Sequence, residues 1–377
     1  MKLIPKAKPV RIRILSGGIE HSSLDSLLQN FDIDALLPLY KNGSLVRWLN
    51  QIGATDVVNK LGKLKITDFS SLTDSECAGF IGAFISDVGK FAQDIAHYYE
   101  SYDDGDKIVR WHKIAYNAGN FGSAYELGLI YDQGLYGIAR SANNAIKYYK
   151  DAANKGYIDA YIALANTYFW LDRYDDAEKY YEKAISTKGV EFDADDYENF
   201  AFTLYKKNNN NPKVAKYYML AIDLGSDYAK NWLGRLYEDG EGGLEKDDNK
   251  AIFWYEEAAK NNIKDAFWNL GLHYYNCGDS SNAIPWLKEA INHGHSEAKE
   301  LVAKCYLDED IHLQEAYNLF KESAENGSDY AQYFMGYIYE NGLTIVYKNK
   351  NKAIEWYRKS ADNGNKYATE KLRKLQA

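Results

Sequence analysis

The chain has 377 residues, 46% apolar and 26% charged with only 5 prolines, which excludes a disordered or collagen-like polypeptide and predicts a folded protein with a large core. No window approaches the roughly 18 to 20 apolar residues of a membrane-spanning helix, and Met1-Lys2-Leu3-Ile4-Pro5-Lys6 lacks the apolar core of a signal peptide, so a cytoplasmic protein without membrane contact is expected. Cys77, Cys277 and Cys305 contain no CxxC pair and are expected as buried small apolar residues, while 34 tyrosines suggest one structural position used many times.

Charge divides the chain. Residues 1–75 hold ten Lys and Arg against seven Asp and Glu, a net of +3, which leaves −12 for the remainder of a chain of net −9. An acidic body repels phosphate backbones. Only the N-terminal arm, with Lys6, Lys8, Arg11 and Arg13, is suited to nucleic acid or another anion.

Taken in chain order, Val10-Arg-Ile-Arg-Ile-Leu15 alternates like one short strand, and Ser16-Gly17-Gly18 breaks it. A helix begins at Leu24 after the Ser22-Ser23 cap, and Leu45-Val-Arg-Trp48-Leu49-Asn-Gln-Ile52 is apolar at helical spacing. A capping box, Thr73-Asp-Ser-Glu76, starts the next helix. Residues 1–75 thus form an N-terminal module, either a small domain or a cap. The Ser16-Gly17-Gly18 turn lacks GKS/T and GxGxxG, and His21 beside Ser22 and Ser23 is read as part of a polar loop.

From residue 119 onward a period emerges, and residues 91–119 read as a first, degenerate unit. Ala145-Ile-Lys-Tyr-Tyr149-Lys-Asp-Ala-Ala-Asn-Lys-Gly156 recurs as Ala251-Ile-Phe-Trp-Tyr255-Glu-Glu-Ala-Ala-Lys-Asn-Asn262 and as Ala353-Ile-Glu-Trp-Tyr357-Arg-Lys-Ser-Ala-Asp-Asn-Gly364. The closing sites are Gly119, Gly156, Gly189, Gly225, Asn262, Gly294, Gly327 and Gly364, spaced 32 to 37 residues apart. Each unit reads as two antiparallel helices that end on a left-handed cap. Small residues such as Gly128, Gly234, Gly271 and Gly336 let the helices approach, so most tyrosines are predicted to be core. Lys206–Pro212 reads as a loop insertion, and 365–377 as a charged capping helix after a solenoid over 76–364.

Leu127-Gly128-Leu-Ile-Tyr131-Asp-Gln-Gly134 and Leu233-Gly234-Arg-Leu-Tyr237-Glu-Asp-Gly240, each followed by an Ala-Ile-x-[Tyr/Trp]-Tyr helix, resemble SEL-one-like repeats, relatives of the tetratricopeptide repeats. The units ending at Gly156, Asn262 and Gly364 fit that pattern, whereas those ending at Gly189, Gly294 and Gly327 look closer to plain tetratricopeptide units. The resemblance implies an all-α, right-handed α/α superhelical solenoid. It also implies that first helices line a concave groove through the positions three before, one after and four to five after the small residue. These are Tyr125, Leu129, Ile162, Asn166, Phe169, Trp170, Glu198, Phe202, Tyr205, Asn231, Arg235, Trp268, Leu272, Tyr275, Glu300, Lys304, Tyr333 and Tyr337.

Such a face, exposing Trp170, Trp268, Tyr275 and Tyr337, is larger than a monomer normally leaves in water and predicts a non-enzymatic adaptor that binds a protein or peptide. Aromatics would anchor the partner; Asn166, Asn231 and Arg235 would hydrogen-bond its backbone or an acidic group. An alternative makes the basic N-terminal module the effector. A hydrolase is the third reading, but the disulfide-bearing SEL-one-like forms linked to hydrolysis have a cysteine pattern absent here. No cofactor or metal is expected: His273 and Cys277, four apart on one helix, could face one ion with Cys305 but are read as core packing plus a surface His, and the acidic clusters Asp103–Asp106, Asp193–Asp196 and Asp308–Asp310 lack calcium-loop spacing.

Overall fold

The computed structural model describes residues 14–16, 19–21, 27, 33–64, 66, 73–100, 102–343 and 346–376. The chain divides into two compact units, Met1–Glu191 and Phe192–Ala377.

The first unit opens with a hairpin. Strand β1 (Ile14–Ser16) pairs antiparallel with β2 (Ile19–His21), Ser16 opposite Ile19. The sequence predicted one strand; two residues of Gly-Gly between alternating segments are also a hairpin signal, and a second strand follows them. Lys6, Lys8, Arg11, Arg13, Ser22 and Ser23 lie outside the described residues.

Helices α1 (Ile33–Lys41), α2 (Ser44–Gln51), α3 (Thr55–Leu61) and α4 (Asp74–Phe84) follow. Helix α2 is the predicted amphipathic segment and buries Leu45, Trp48 and Leu49. Helices α1 and α3 were not predicted, since Pro38 lies inside one and the other has only seven residues. The capping box forms: Glu76 N–H donates to Thr73 Oγ1 (3.2 Å) and Thr73 N–H to Glu76 Oε2 (2.9 Å). Leu36, Leu45, Trp48, Leu61 and Phe80 share one core with Ala92 of α5 (Val88–Glu100) and with Ile114 and Ala115 of α6 (Gly105–Asn117). The N-terminal helices therefore bury their apolar faces on the first helix pair.

Pairs α7 (Phe121–Gln133) with α8 (Ala142–Asn154) and α9 (Ala160–Trp170) with α10 (Tyr174–Ser186) complete this unit. The second unit contains α11 (Ala194–Lys207) with α12 (Lys213–Asp223), α13 (Asp227–Asp239) with α14 (Asp248–Ala259), and α15 (Lys264–Asn276) with α16 (Ser280–Asn292). It ends with α17 (Ala298–Asp308) and α18 (Leu313–Glu325), α19 (Asp329–Asn341) and α20 (Lys350–Asp362), and the capping helix α21 (Lys366–Gln376). Among the described residues no strand occurs after His21.

Antiparallel pairing shows in the cross-contacts of α7 and α8. Ser141 N–H donates to Tyr131 O at the loop (2.8 Å), Gly128 meets Tyr149 midway, and Tyr125 lies 4.8 Å from Tyr157 at the far end. All eight predicted closing residues have φ between 61° and 99°, the left-handed region that Gly adopts freely. Seven or eight residues before each closing site from Gly156 on stands one buried side chain: Tyr149, Tyr181, Tyr218, Tyr255, Leu287, Phe320 or Tyr357. The glycines explain the close approach. A Cβ on Gly234 or Gly336 would stand 2.6 or 2.7 Å from the ring of Tyr255 or Tyr357, and one on Gly271 would strike Leu287 at 2.6 Å.

Cys77 and Cys305 are buried as predicted, but Cys277 is exposed because it ends α15 beside Gly278 instead of lying within the helix.

These contacts predict a sign. In an open helix Gly→Ala stabilises by about 1 kcal/mol, yet Gly234→Ala should destabilise in denaturant unfolding because its methyl displaces the Tyr255 ring. Tyr255→Ala should cost about 3–5 kcal/mol locally, and Glu257→Ala, which loses an i,i+3 pair with Lys260, within about 0.5 kcal/mol.

Candidate binding site

Measured from the small residue of each first helix, the predicted groove positions fall on one side of the pair, and the structure gives them unequal roles. In the first unit Trp170 is 75% exposed, with Phe169 edge-on at 5.1 Å and exposed Leu171 beside it. Tyr125 packs on Tyr149 and Tyr157, and Leu129 is half-buried. Asn166 was predicted to bond a ligand; its side-chain oxygen instead accepts the hydroxyl of the buried Tyr181.

In the second unit Phe202 and Tyr205 flank the Trp232 ring at 5.3 and 5.4 Å, forming its wall. Trp268, Tyr275 and Tyr337 are half-buried, less open than the sequence suggested. The His295 ring stacks on Trp268 at 5.7 Å, and α21 brings Tyr367 against Tyr333 and Lys371 over Tyr337. Lys304 is engaged by Asp308. Burial pushes the carboxyls of Glu198 and Glu300 above the usual range, and each also has a serine hydroxyl partner, Ser226 and Ser328.

Four predicted residues do converge. Asn231 and Arg235 of α13 and Trp268 and Leu272 of α15 line a cleft of about 390 Å³ together with Trp232, Glu238, Asp265 and Asn269. Asn269 Nδ2 donates to Asn231 Oδ1 at 2.9 Å, with Asn231 buried. Glu238 accepts the Tyr255 hydroxyl (2.7 Å) and meets His273 Nδ1 at 2.8 Å; burial first, then Glu238, drives the Tyr255 hydroxyl pKa up. Asp265 meets His295 Nε2 at 3.2 Å. The guanidinium of Arg235 lies 4.7 Å over the Trp232 ring and makes no ion pair within 4 Å among the described residues, although it attracts the Asp239 carboxylate one turn on. A cation held on an aromatic face without an ion-pair partner is positioned to receive an anion or carbonyl.

Trp232 and Asn269 were missed because they stand two residues before the small residue, a position the groove rule omits. Glu238 stands four after Gly234, where the rule points, and its match with Asp132 and Glu340 was a usable signal. His273, Cys277 and Cys305 do not converge as three ligands: His273 Nδ1 faces Glu238, and only Cys277 Sγ approaches its Nε2, at 3.8 Å.

The loops repeat as closely as the helices. Ser141, Asp247 and Asn349 share φ/ψ near −150°/95°, and each donates its N–H to the Tyr131, Tyr237 or Tyr339 carbonyl at 2.8–2.9 Å. Models of the Sel1 repeat match residues 122–157, 227–263, 303–328 and 329–365, and a tetratricopeptide repeat matches 158–188. The chain carries Sel1 repeats. The unit ending at Gly327, read from sequence as closer to a tetratricopeptide repeat, matches the Sel1 model instead.

Among curated relatives, a DAP3-binding cell death enhancer of Rattus norvegicus is 31% identical over 185 residues, 47% of this chain and 36% of that protein. A chitin synthase regulator of Saccharomyces cerevisiae is 26% identical over 274 residues, 72% of this chain and 31% of that protein. The chain thus spans about a third of the length of these relatives. A protective antigen of uropathogenic Escherichia coli strains displaying an SLR fold superposes with a TM-score of 0.59 at 20% identity, over 93% of this chain and 81% of that one, a likeness of fold.

The Glu238 node connects the Sel1-type core to the cleft. Glu238→Ala strands the Tyr255 hydroxyl and the His273 ring, and should cost about 1–3 kcal/mol in denaturant unfolding.

Proposed function

We propose that the chain is a non-enzymatic protein-interaction scaffold whose α13/α15 cleft binds an extended peptide carrying an acidic group. The observation that carries this reading is Arg235: stacked on Trp232, without an ion-pair partner among the described residues, at a cleft that also holds Trp268 and the Asn231–Asn269 pair. The carboxylates of the cleft are engaged, Glu238 by Tyr255 and His273 and Asp265 by His295, so the cationic group is the one left to recognise a ligand. Asn231 and Asn269 supply amide groups for a peptide backbone, and Trp268 an apolar wall. The first unit carries an exposed aromatic patch of its own at Trp170, Phe169 and Leu171.

Relatives bearing the names of a binding protein and of a synthase regulator support an adaptor role. A cytoplasmic setting suits it, and among the described residues no helix is long and apolar enough to cross a membrane.

The test starts from a pull-down with mass spectrometry to obtain the partner. Trp268→Ala or Trp170→Ala should then weaken capture by at least about 2 kcal/mol, roughly thirtyfold. Arg235→Ala should weaken it by a similar factor and reduce its salt dependence, with melting temperature nearly unchanged. Capture that survives all three changes, yet is lost when Lys6, Lys8, Arg11 and Arg13 are replaced together by Ala, would transfer the function to the N-terminal arm.

A further inference from the structure

The first helix pair, α5/α6, breaks the repeat pattern at two positions. Counted back seven residues from the closing Gly119, His112 stands where Tyr149, Tyr255 and Tyr357 stand in later pairs. Buried Ala96 takes the place of the small first-helix residue, so Glu100, four residues on, corresponds to Asp132, Glu238 and Glu340, and His97 to Arg235. In two later pairs the tyrosine hydroxyl bonds the glutamate directly, Tyr255 to Glu238 at 2.7 Å and Tyr357 to Glu340 at 2.6 Å. Here His112 Nε2 stops 3.8 Å from Glu100 Oε1, and His97 Nε2 lies 4.0 Å from the same oxygen.

His112 is fully buried and its Nε2 has no hydrogen-bond partner. A buried polar atom left in that state is costly unless something binds it. Its other nitrogen, Nδ1, faces Ser123 Oγ at 3.3 Å, the arrangement that fixes the ring of a metal-binding histidine from behind. The three ligand atoms of His97, Glu100 and His112 lie within 4.8 Å of one another. Bonds of about 2.0–2.1 Å to tetrahedral zinc require ligand atoms about 3.4 Å apart, so small rotations of the half-exposed His97 and Glu100 side chains close the site.

We propose that His97, Glu100 and His112 form a zinc site that clamps α5 to α6, with a fourth position left to water or to the ligand of a bound partner. Two imidazoles and a carboxylate are a donor set for zinc and its divalent first-row neighbours, while calcium and magnesium require oxygen donors. Glu126 of α7 interacts electrostatically with both His97 and Glu100 and adds negative charge around the ion.

The test uses the full chain after chelator treatment, titrated with Zn2+ by calorimetry and with Co2+ by visible absorption. The expected result is one Zn2+ per chain, a raised melting temperature, and Co2+ bands of tetrahedral intensity. His97→Ala and Glu100→Gln, both at partly exposed side chains, should each weaken Zn2+ at least about tenfold. His112→Tyr, which restores the residue of the other pairs, should abolish binding while the chain still unfolds cooperatively. Cys277→Ser, at the exposed thiol beside His273, should leave the affinity unchanged. Absence of stoichiometric Zn2+ uptake, or uptake that responds to Cys277→Ser and not to His97→Ala and Glu100→Gln, would overturn the proposal.

Discussion

The close approach of a second-helix ring to a small first-helix residue is the contact on which the array depends. At Gly234 and Gly336 even a methyl group has no room, so the tyrosine ring lies directly on backbone. That contact fixes the rotation of both helices about their axes. Once Leu233, Gly234 and Leu236 face inward, Arg235 faces the cleft because successive helical residues turn by about 100°, with the buried Asn231 one turn before it. The orientation of the candidate face follows from core packing.

The same contact explains what the sequence made legible. A glycine or alanine, a buried ring and a left-handed closing residue recur at fixed spacing, so pair boundaries and core tyrosines could be read directly. The N-terminal helices could not. Pro38 falls inside one and another has seven residues, too few for a period, and their burial depends on α5 and α6, which are remote in sequence. Within the face, spacing located Asn231, Arg235, Trp268 and Leu272 but gave no measure of exposure. Tyr333 and Tyr337 are half-covered by α21, and Trp268 by His295, through contacts between neighbouring helices that a unit-by-unit reading omits.

Charge separates scaffold from recognition more sharply than aromaticity does. Glu238 and Glu340 each hold a core tyrosine hydroxyl, and Asp132, one methylene shorter, leaves the Tyr149 hydroxyl without a partner. Lys304, one residue after its small residue, is neutralised by Asp308. Arg235 occupies the equivalent position with Asp239 four residues on acting only electrostatically and no ion pair within 4 Å among the described residues, and its guanidinium rests on a tryptophan ring that screens one face from water. A partly buried cation without a close ion pair gains more from an incoming carboxylate than an exposed one, whose pairing with an anion yields only about 0–1 kcal/mol.

In a repeat array, every unit must solve the same packing problem, so a residue shared by the units is explained by the core and a departure from it needs another cause. The position of Arg235 varies among first helices, with Leu129, Asn166, Phe202, Leu272, Tyr337, His97 and Lys304 at its equivalents, and Arg235 opens onto a cleft. His112 departs where later pairs carry a tyrosine, and it places an imidazole nitrogen, not a hydroxyl, in front of Glu100. In the tautomer that carries its proton on Nδ1, toward Ser123 Oγ, Nε2 and the carboxylate cannot hydrogen-bond to each other, whereas both can donate electron pairs to one cation. The geometry that serves a Tyr–Glu hydrogen bond in α13/α14 and α19/α20 therefore becomes, with one side chain exchanged, geometry for a metal ion.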